Sequence, residues 1–423
     1  MRSPLCAKLP VFKFAGYRYA SKAQRSTTVA IAGAGPVGLT LSLILSKYGI
    51  EHTIMDRASG PTNHPQAHYI NARTMEIIRH ATDGLADHIA KLSEPIEPWR
   101  RYVYCVSVAG LKLGAVDHFG PDMATLRTMM SQSPCRVSHL PQSRVVPLLL
   151  EHAIRSPHAT ILWNQELSAL EQDRNGVSVS LEDTGGNPST LQCAYLIGAD
   201  GASSTVRTAL GVSWEGSAAM QHLINVHFTC PNLKSIAADN PAMLYFVYHP
   251  EVIGVVVAHD FEAGECVMQI PFFPPEQSET EFSNAVCEAL IRSALGQGCG
   301  AITIHRINRW SMAAVNARAY RKDRVLLAGD ACHQMPPAGG FGMNSGMADA
   351  HNLAWKLAWV LRGWGTPHLL DTYQAERRPV IAQNIALSLR NYRRVLEVTS
   401  ALGLDANYVK LLQTGLSVLP RDL

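Results

Sequence analysis

A chain of 423 residues with 47% hydrophobic and 17% charged content is long enough for two domains with sizeable cores and too apolar to be disordered. Its formal charge of +3 is small and forms no basic stripe outside the N-terminus, which argues against a nucleic-acid binder. Nine cysteines are scattered without a CxxC pair, so neither a disulfide framework nor a zinc site is indicated. No run of roughly 18 uncharged apolar residues marks a transmembrane helix.

The N-terminal stretch 1–27 carries Arg2, Lys8, Lys13, Arg18, Lys22 and Arg25 and no acid; the first acidic residue of the chain is Glu51. Basic, acid-free and sprinkled with Ser, Ala and aromatics, it resembles a mitochondrial transit peptide, so a mitochondrial location is expected. Folded structure should begin at Thr28. Residues 29–32 read as a strand, 37–48 as an apolar helix after a glycine turn, and 51–55 as a second strand: a βαβ unit. Helices are expected over 71–80 and 145–155, and strands near 161–170, 176–182 and 190–197. From about 216 to 307 the pattern changes to an antiparallel sheet, with strands at 222–229, 244–249, 252–259 and 267–270 broken by proline-rich pieces. A strand at 325–328, a glycine-rich loop and a long helix from about 344 to 362 return to α/β grammar, and 367–423 reads as mostly helical.

Ala32-Gly-Ala-Gly-Pro-Val-Gly38 sets Gly33, Gly35 and Gly38 in GxGxxG spacing between the first strand and the helix. The first glycine permits the turn, the second lets a pyrophosphate approach the backbone, and the third allows close helix–strand packing. The helix N-terminus offers free N–H groups and a positive dipole end to phosphate. Asp56 ends the second strand, where an acid can bind ribose hydroxyls, with Arg57 beside it. Gly296-Gln-Gly-Cys-Gly300 follows a helix and precedes a strand; it reads as a turn, leaving no second fingerprint for a stably held nicotinamide nucleotide.

Two further motifs occur downstream. Residues 196–207 (LIGADGASSTVR) and 329–344 (GDACHQMPPAGGFGMN), followed by 349–356 (DAHNLAWK) and 373–379 (YQAERRP), resemble in order and spacing the FAD-dependent aromatic-ring monooxygenases, the p-hydroxybenzoate and phenol hydroxylase type. The resemblance covers about residues 28–390. It implies an α/β architecture: a Rossmann-like FAD-binding domain written as 28–93, 137–215 and 308–365, an inserted antiparallel-sheet substrate domain from 94–136 and 216–307, and a C-terminal helical segment, 366–423. It implies FAD as cofactor, NAD(P)H as transient reductant, and O2 as co-substrate in hydroxylation through a flavin C4a-hydroperoxide. Asp330 would hydrogen-bond the ribityl chain, Gln142 would touch the cofactor, and Gly339, Gly340, Gly342, Met343 and Asn344 would run beside the isoalloxazine, the helix pointing at its N1–O2 edge. Pro336 and Pro337 would shape the wall where oxygen reacts. Asp200 would hold its motif's turn, Arg207 a structural contact, and His333 either a site or a packing role.

A narrower likeness is to the mitochondrial flavin-dependent demethoxyubiquinone hydroxylases of plants and protists, carried by 64–76 (HPQAHYINARTME), 99–105, 113–118, 257–260 and 400–405. Those enzymes continue beyond position 423. The likeness implies a quinone-type substrate and peripheral contact with the inner mitochondrial membrane. Gln66 stands where many relatives carry a basic residue implicated in reductant handling, which leaves NADH versus NADPH open. Phe246, Val255 and Phe272 are expected to line the ring pocket; Tyr245, Tyr248, His227 and His259 are candidates for its polar contacts. No WxWxIP segment supports a halogenase, and no ExxH pair supports a di-iron enzyme. Hydroxylation of a soluble phenol or polyketide, or a non-hydroxylating FAD module, remains the alternative.

Overall fold

The computed structural model describes residues 25–93, 95, 100–117, 119–120, 122, 124, 127–128 and 131–401. The expected leader lies outside these up to residue 24, as do 402–423 and parts of the 99–105, 113–118 and 400–405 likenesses. No helix among the described residues is long and apolar enough to cross a membrane.

Strand β1 (Arg25–Ala32) runs parallel between β10 (Pro188–Gly198) and β2 (His52–Met55), and β7 (Ala159–Leu162) extends the sheet beyond β2. On the other side β10 pairs with β17 (Val325–Leu327), which is edged by β16 (Arg321–Lys322). Arg25 to Thr27, expected to precede the fold, already pair with Leu191 to Cys193. Val29 to Ala32 are buried on both faces, as a central parallel strand covered by helices must be. The first half of β10 instead pairs antiparallel with β9 (Val177–Asp183), which pairs with β8 (Gln165–Gln172). The strand expected over 161–170 is thus two strands, parted where Asn164 takes a positive φ of 55°.

Helix α1 (Pro36–Lys47) opens with proline at its first position, where a missing N–H costs nothing, and buries every residue from Gly38 to Leu45. Helices α2 (Ala72–Ala81), capped by the Asn71 side chain, and α3 (Gln142–Ile154) match the expected segments within a few residues. Helix α5 (Phe341–Leu361) starts three residues earlier than expected and packs on α1. The close approach depends on small residues: a Cβ on Gly346 would meet Val37 at 2.6 Å. Helix α6 (Asp371–Ala401) closes the described chain.

The second sheet runs β18 (His333–Gln334), β15 (Thr303–Ala317), β11 (Trp214–Thr229), β14 (Glu265–Phe272), β13 (Val252–Asp260), β12 (Leu244–His249), β4 (Arg101–Cys105) and β5 (Lys112–Asp117). It is antiparallel except where β4 joins β12 in parallel. The expected boundaries at 215/216 and 307/308 fall inside β11 and β15, long strands that pair from Trp214–Ala317 to Thr229–Thr303. One face is sealed by α4 (Asn284–Leu295), whose Cys287, Ile291, Ala294 and Leu295 join Val226, Phe228, Val256, Met268 and Phe272 in a core. The other face looks toward the first sheet. A small ribbon, β3 (Tyr69–Ile70) with β6 (Ser138–His139), bridges the two.

Candidate active site

Between the sheets lies a cavity of about 2100 Å³. Gly33, Gly35, Asp56, Arg57, Gln142, Asp330, Pro336, Pro337, Gly339, Gly340, Gly342 and Met343 all line it. Two expected cofactor residues do not. Gly38 is buried in α1, and Asn344 is 4% exposed with its side chain spent inside the protein. Asn344 accepts from the Asn71 N–H at 3.0 Å and donates to the carbonyls of Tyr69 and Gly340. It holds the β3 ribbon against the start of α5 and sets the cavity's shape from behind.

The glycine turn divides its labour. Gly33 takes φ 105° and donates to Met55 O at 2.8 Å. A Cβ on Gly38 would overlap the Gly33 carbonyl oxygen, whereas a Cβ on Gly35 would meet nothing within 4 Å. The space above Gly35 belongs to the cavity, and Gly35 has φ −78°, which alanine adopts freely. Gly38→Ala is therefore expected to destabilise the protein by about 1–3 kcal/mol through overpacking, despite better helix propensity. Gly35→Ala should leave the unliganded melting temperature within about a degree yet weaken dinucleotide binding; thermal melts with and without FAD separate the two. Equal melting losses in both variants would contradict this division.

Asp56 braces the turn: one carboxylate oxygen accepts from Ala34 N–H and the other from Ala58 N–H, each at 2.8 Å. Each oxygen keeps a further lone pair for a ribose hydroxyl. Arg57 is exposed and 3.6 Å from exposed Glu166, a pair of little energetic consequence. Asp200 holds its turn by accepting from Ser204 Oγ at 2.6 Å and Val206 N at 3.0 Å. Arg207 donates to Val212 O and lies 4.3 Å over the Trp214 ring, a structural placement.

Asp330 projects into the cavity from a short 3-10 turn (Gly329–Ala331), exposed to that space and without a hydrogen-bond partner among the described residues. The enclosing walls push its carboxyl up, opposed by His333 and aided by Asp349. Beneath it lies a residue of the 349–356 motif whose role only its surroundings show. Asp349, fully buried on α5, accepts from Gly329 N at 3.2 Å, His333 Nε2 at 2.6 Å and Arg377 Nε at 2.7 Å. Burial works to raise the Asp349 carboxyl, but His333 and Arg377 together outweigh it and hold it below the usual range. His333 is thus a clamp on the Asp330 turn. The 373–379 motif is the same clamp seen from α6: Tyr373 donates to Leu327 O at 2.8 Å and Glu376 meets the buried Lys356 at 2.8 Å.

At the sheet end of the cavity, Phe246 and Val255 line the wall as expected, but Phe272 faces the α4 core and Phe273 lines the cavity instead. The cause is strand parity: Phe272 shares its face with Met268 and Cys266. Tyr245 is likewise core, its hydroxyl donating to Asn240 O and accepting from Ala242 N–H. Tyr248 and His259 line the cavity; His227 does not, and pairs with Glu265 at 3.1 Å. Gln66 is in the lining as well, and the turn at 296–300 is remote from it, with Gly296, Gly298 and Gly300 all at positive φ.

The profile of the "FAD binding domain" family matches residues 26–388, and the chain belongs to that family. It is 31% identical over 383 residues to 2,4-dichlorophenol 6-monooxygenase of Cupriavidus pinatubonensis, covering 89% of this chain and 63% of the relative. It is 34% identical over 358 residues to a putative polyketide hydroxylase of Streptomyces halstedii, covering 83% and 62%. The chain therefore spans less than two thirds of these relatives. The fold superposes on the flavin-dependent monooxygenase PieE in complex with FAD and substrate with a TM-score of 0.85 and 32% identity, covering 95% of this chain and 70% of that one. For the ternary complex of aklavinone-11 hydroxylase with FAD and aklavinone the TM-score is 0.80 at 29% identity, covering 88% and 69%.

FAD is the cofactor of this fold, and the residues present fit it. A carboxylate at Asp330 unpartnered among the described residues, open space above Gly35, a helix N-terminus at each of Pro36 and Phe341, and a cavity joining them are what an elongated dinucleotide requires.

Proposed function

We propose that the chain is a monooxygenase that hydroxylates an aromatic or quinone-type ring, using NAD(P)H and O2. The observation that carries this reading is one continuous cavity, gripped at one end by the dinucleotide turns and walled at the other by the apolar strand faces of β12 to β14. The redox chemistry, hydride uptake and O2 activation, is what FAD supplies when bound. The protein does the rest. Leu244, Phe246, Val255, Val257 and Val267 exclude water from the reacting end. The first N–H groups of α5 lack intrahelical partners and face the cavity near Gly342 and Met343, where they favour developing negative charge. Tyr102, Tyr104 and Tyr248 offer ring faces and hydroxyls for positioning a flat substrate.

Within that reaction the substrate we favour is a demethoxyubiquinone-type ring, with action in mitochondria at the inner-membrane surface. The 64–76 likeness and the basic, acid-free first 27 residues support it. So do Leu111, Leu113 and Val116, exposed on or beside the edge strand β5, where Val116 reaches the cavity mouth. The second reading, a soluble phenol or polyketide, is favoured by the named activities of the relatives.

The test is turnover. FAD-loaded protein should oxidise NAD(P)H faster when a ring substrate is added and place one atom of 18O2 on that ring, with a demethoxyquinol preferred over a chlorophenol by about tenfold or more. The gene should restore ubiquinone, with loss of accumulated demethoxyubiquinone, in cells lacking their own hydroxylase. A chlorophenol that outpaces the quinol selects the second reading, and NAD(P)H oxidation indifferent to any ring removes both.

A further inference from the structure

Three histidines from distant parts of the chain meet where the small ribbon touches the large sheet. His68 leads into β3, His139 ends β6, and His259 lies near the end of β13. One ring nitrogen from each lies within 4.8 Å of the others. The rings pack edge to face, with His68 centred 4.8 Å from His139 and 5.1 Å from His259. His139 and His259 are each 1% exposed. Among the described residues, neither nitrogen of the His259 ring has a hydrogen-bond partner, and Nδ1 of His68 has none. Each buried unpaired nitrogen costs about 1–3 kcal/mol. A hydrophobic side chain of similar volume would fill the same space without that cost, so packing alone does not account for imidazoles here.

We propose that His68, His139 and His259 form a divalent-metal site of the zinc class, with a fourth coordination position reached from the cavity that His68 and His259 line. Three nitrogen donors without thiolate suit Zn2+ and, less selectively, other late divalent ions. Burial keeps the rings in the neutral form that ligates: His68 is pushed down to about 4, and His139 and His259 lie well below their ordinary value. The adjacent Arg144 is no obstacle, because Asp260 at 2.7 Å and Glu265 at 3.1 Å match its charge. Zinc–nitrogen bonds of about 2.0–2.1 Å set tetrahedral ligand atoms about 3.3 Å apart, so the three need draw in by at most about 1.5 Å.

Three protein ligands with one open position is the pattern of catalytic rather than structural zinc. The place suits such a role. Tyr69, the neighbour of His68, lies against Gly340 at the start of α5, where a Cβ would meet its ring at 2.9 Å. The cation therefore sits between the cofactor end and the sheet wall, where it would hold a ring oxygen of the substrate. That role rests on the hydroxylase reading; the metal site does not.

The experiment uses the full FAD-bearing chain, treated with chelator and titrated with Co2+ and then Zn2+. One equivalent should bind, Co2+ giving ligand-field absorption at wavelengths longer than the flavin band, and Zn2+ displacing it. His259→Gln and His68→Gln should each weaken binding by about 10–100-fold or more while the protein stays yellow. Should His259→Gln fail to fold, the partly exposed His68→Gln carries the test. Cys332→Ala, which disarms the other compact group, Cys332 with His333 and Asp349, should keep both metal and FAD. Absence of stoichiometric metal in the wild-type chain, or binding lost in Cys332→Ala and kept in the histidine variants, overturns the assignment. Ring-stimulated NAD(P)H oxidation, read separately, reports on the hydroxylase reading alone.

Discussion

Asp330→Ala yields a folded, colourless protein. If Asp330 makes the charge-assisted hydrogen bond to the cofactor that the family resemblance implies, a contact worth about 1.5–3 kcal/mol is lost and FAD affinity falls by roughly 10–150-fold. Without ligand the substitution costs nothing, because the side chain has no partner among the described residues and the enclosing walls already disfavour its charge. A carboxyl pushed up by folding detracts from stability at neutral pH, so the unliganded melting temperature should stay level or rise. Fluorescence titration of apoprotein with FAD, beside a melt of the same sample, measures both. Variant protein that stays yellow through purification would remove the main support for the cofactor's placement.

Asp349→Ala is expected to do the reverse, damaging the fold first and cofactor binding as a consequence. Removing this carboxylate strands Arg377 and His333 beside a buried space and frees Gly329 N, at a cost of about 3–5 kcal/mol. The pH dependence identifies the cause. Its carboxyl is held below the unfolded value of about 3.9, so its stabilisation is fully present above that pH and is lost as pH falls through the lower folded value. Urea midpoints of wild type and Asp349→Asn should differ widely at neutral pH and converge below about pH 4. A gap that stays constant into acid would show that shape, not charge, makes Asp349 necessary.

Both variants touch one short turn, and the contrast between them is a contrast in where each carboxylate gets its partners. Asp330 has no partner among the described residues and is open to one from outside the chain, whereas Asp349 takes its partners from three points within it. Motif spacing revealed the pair as conspicuous residues, but only their surroundings separate a ligand contact from the clamp behind it.

Much of the fold was legible because its signals are local. The glycine turn, the proline opening α1, and the runs that became β12 and β13 are each decided within a few residues. The three separated motifs of the cavity likewise announce themselves one by one. Strands β4 and β5 were not anticipated, and β15 only as a strand of unstated extent after the 296–300 turn: it carries His305, Arg306 and Arg309 on exposed positions, and no apolar alternation marks its first half. Arg25 to Thr27 looked like leader for the same reason: they are polar residues without an apolar pattern, yet they pair with β10 in the sheet.

Sequence by itself therefore determined the class of fold, and it singled out Gly33, Gly35, Asp56 and the glycine-rich stretch from Pro336 to Met343, which line the cavity. Tertiary structure decided which face of each strand meets the cavity, turning Tyr245 and Phe272 into core and Phe246 and Val255 into lining. It also decided that Asn344 is spent on Asn71 and Tyr69, and that three histidines from separate segments share one buried corner. The physical reason is the same in each case. Backbone geometry imposes a two-residue alternation that any strand sequence displays, but which of the two faces is inside depends on what packs against it, and that partner comes from far along the chain.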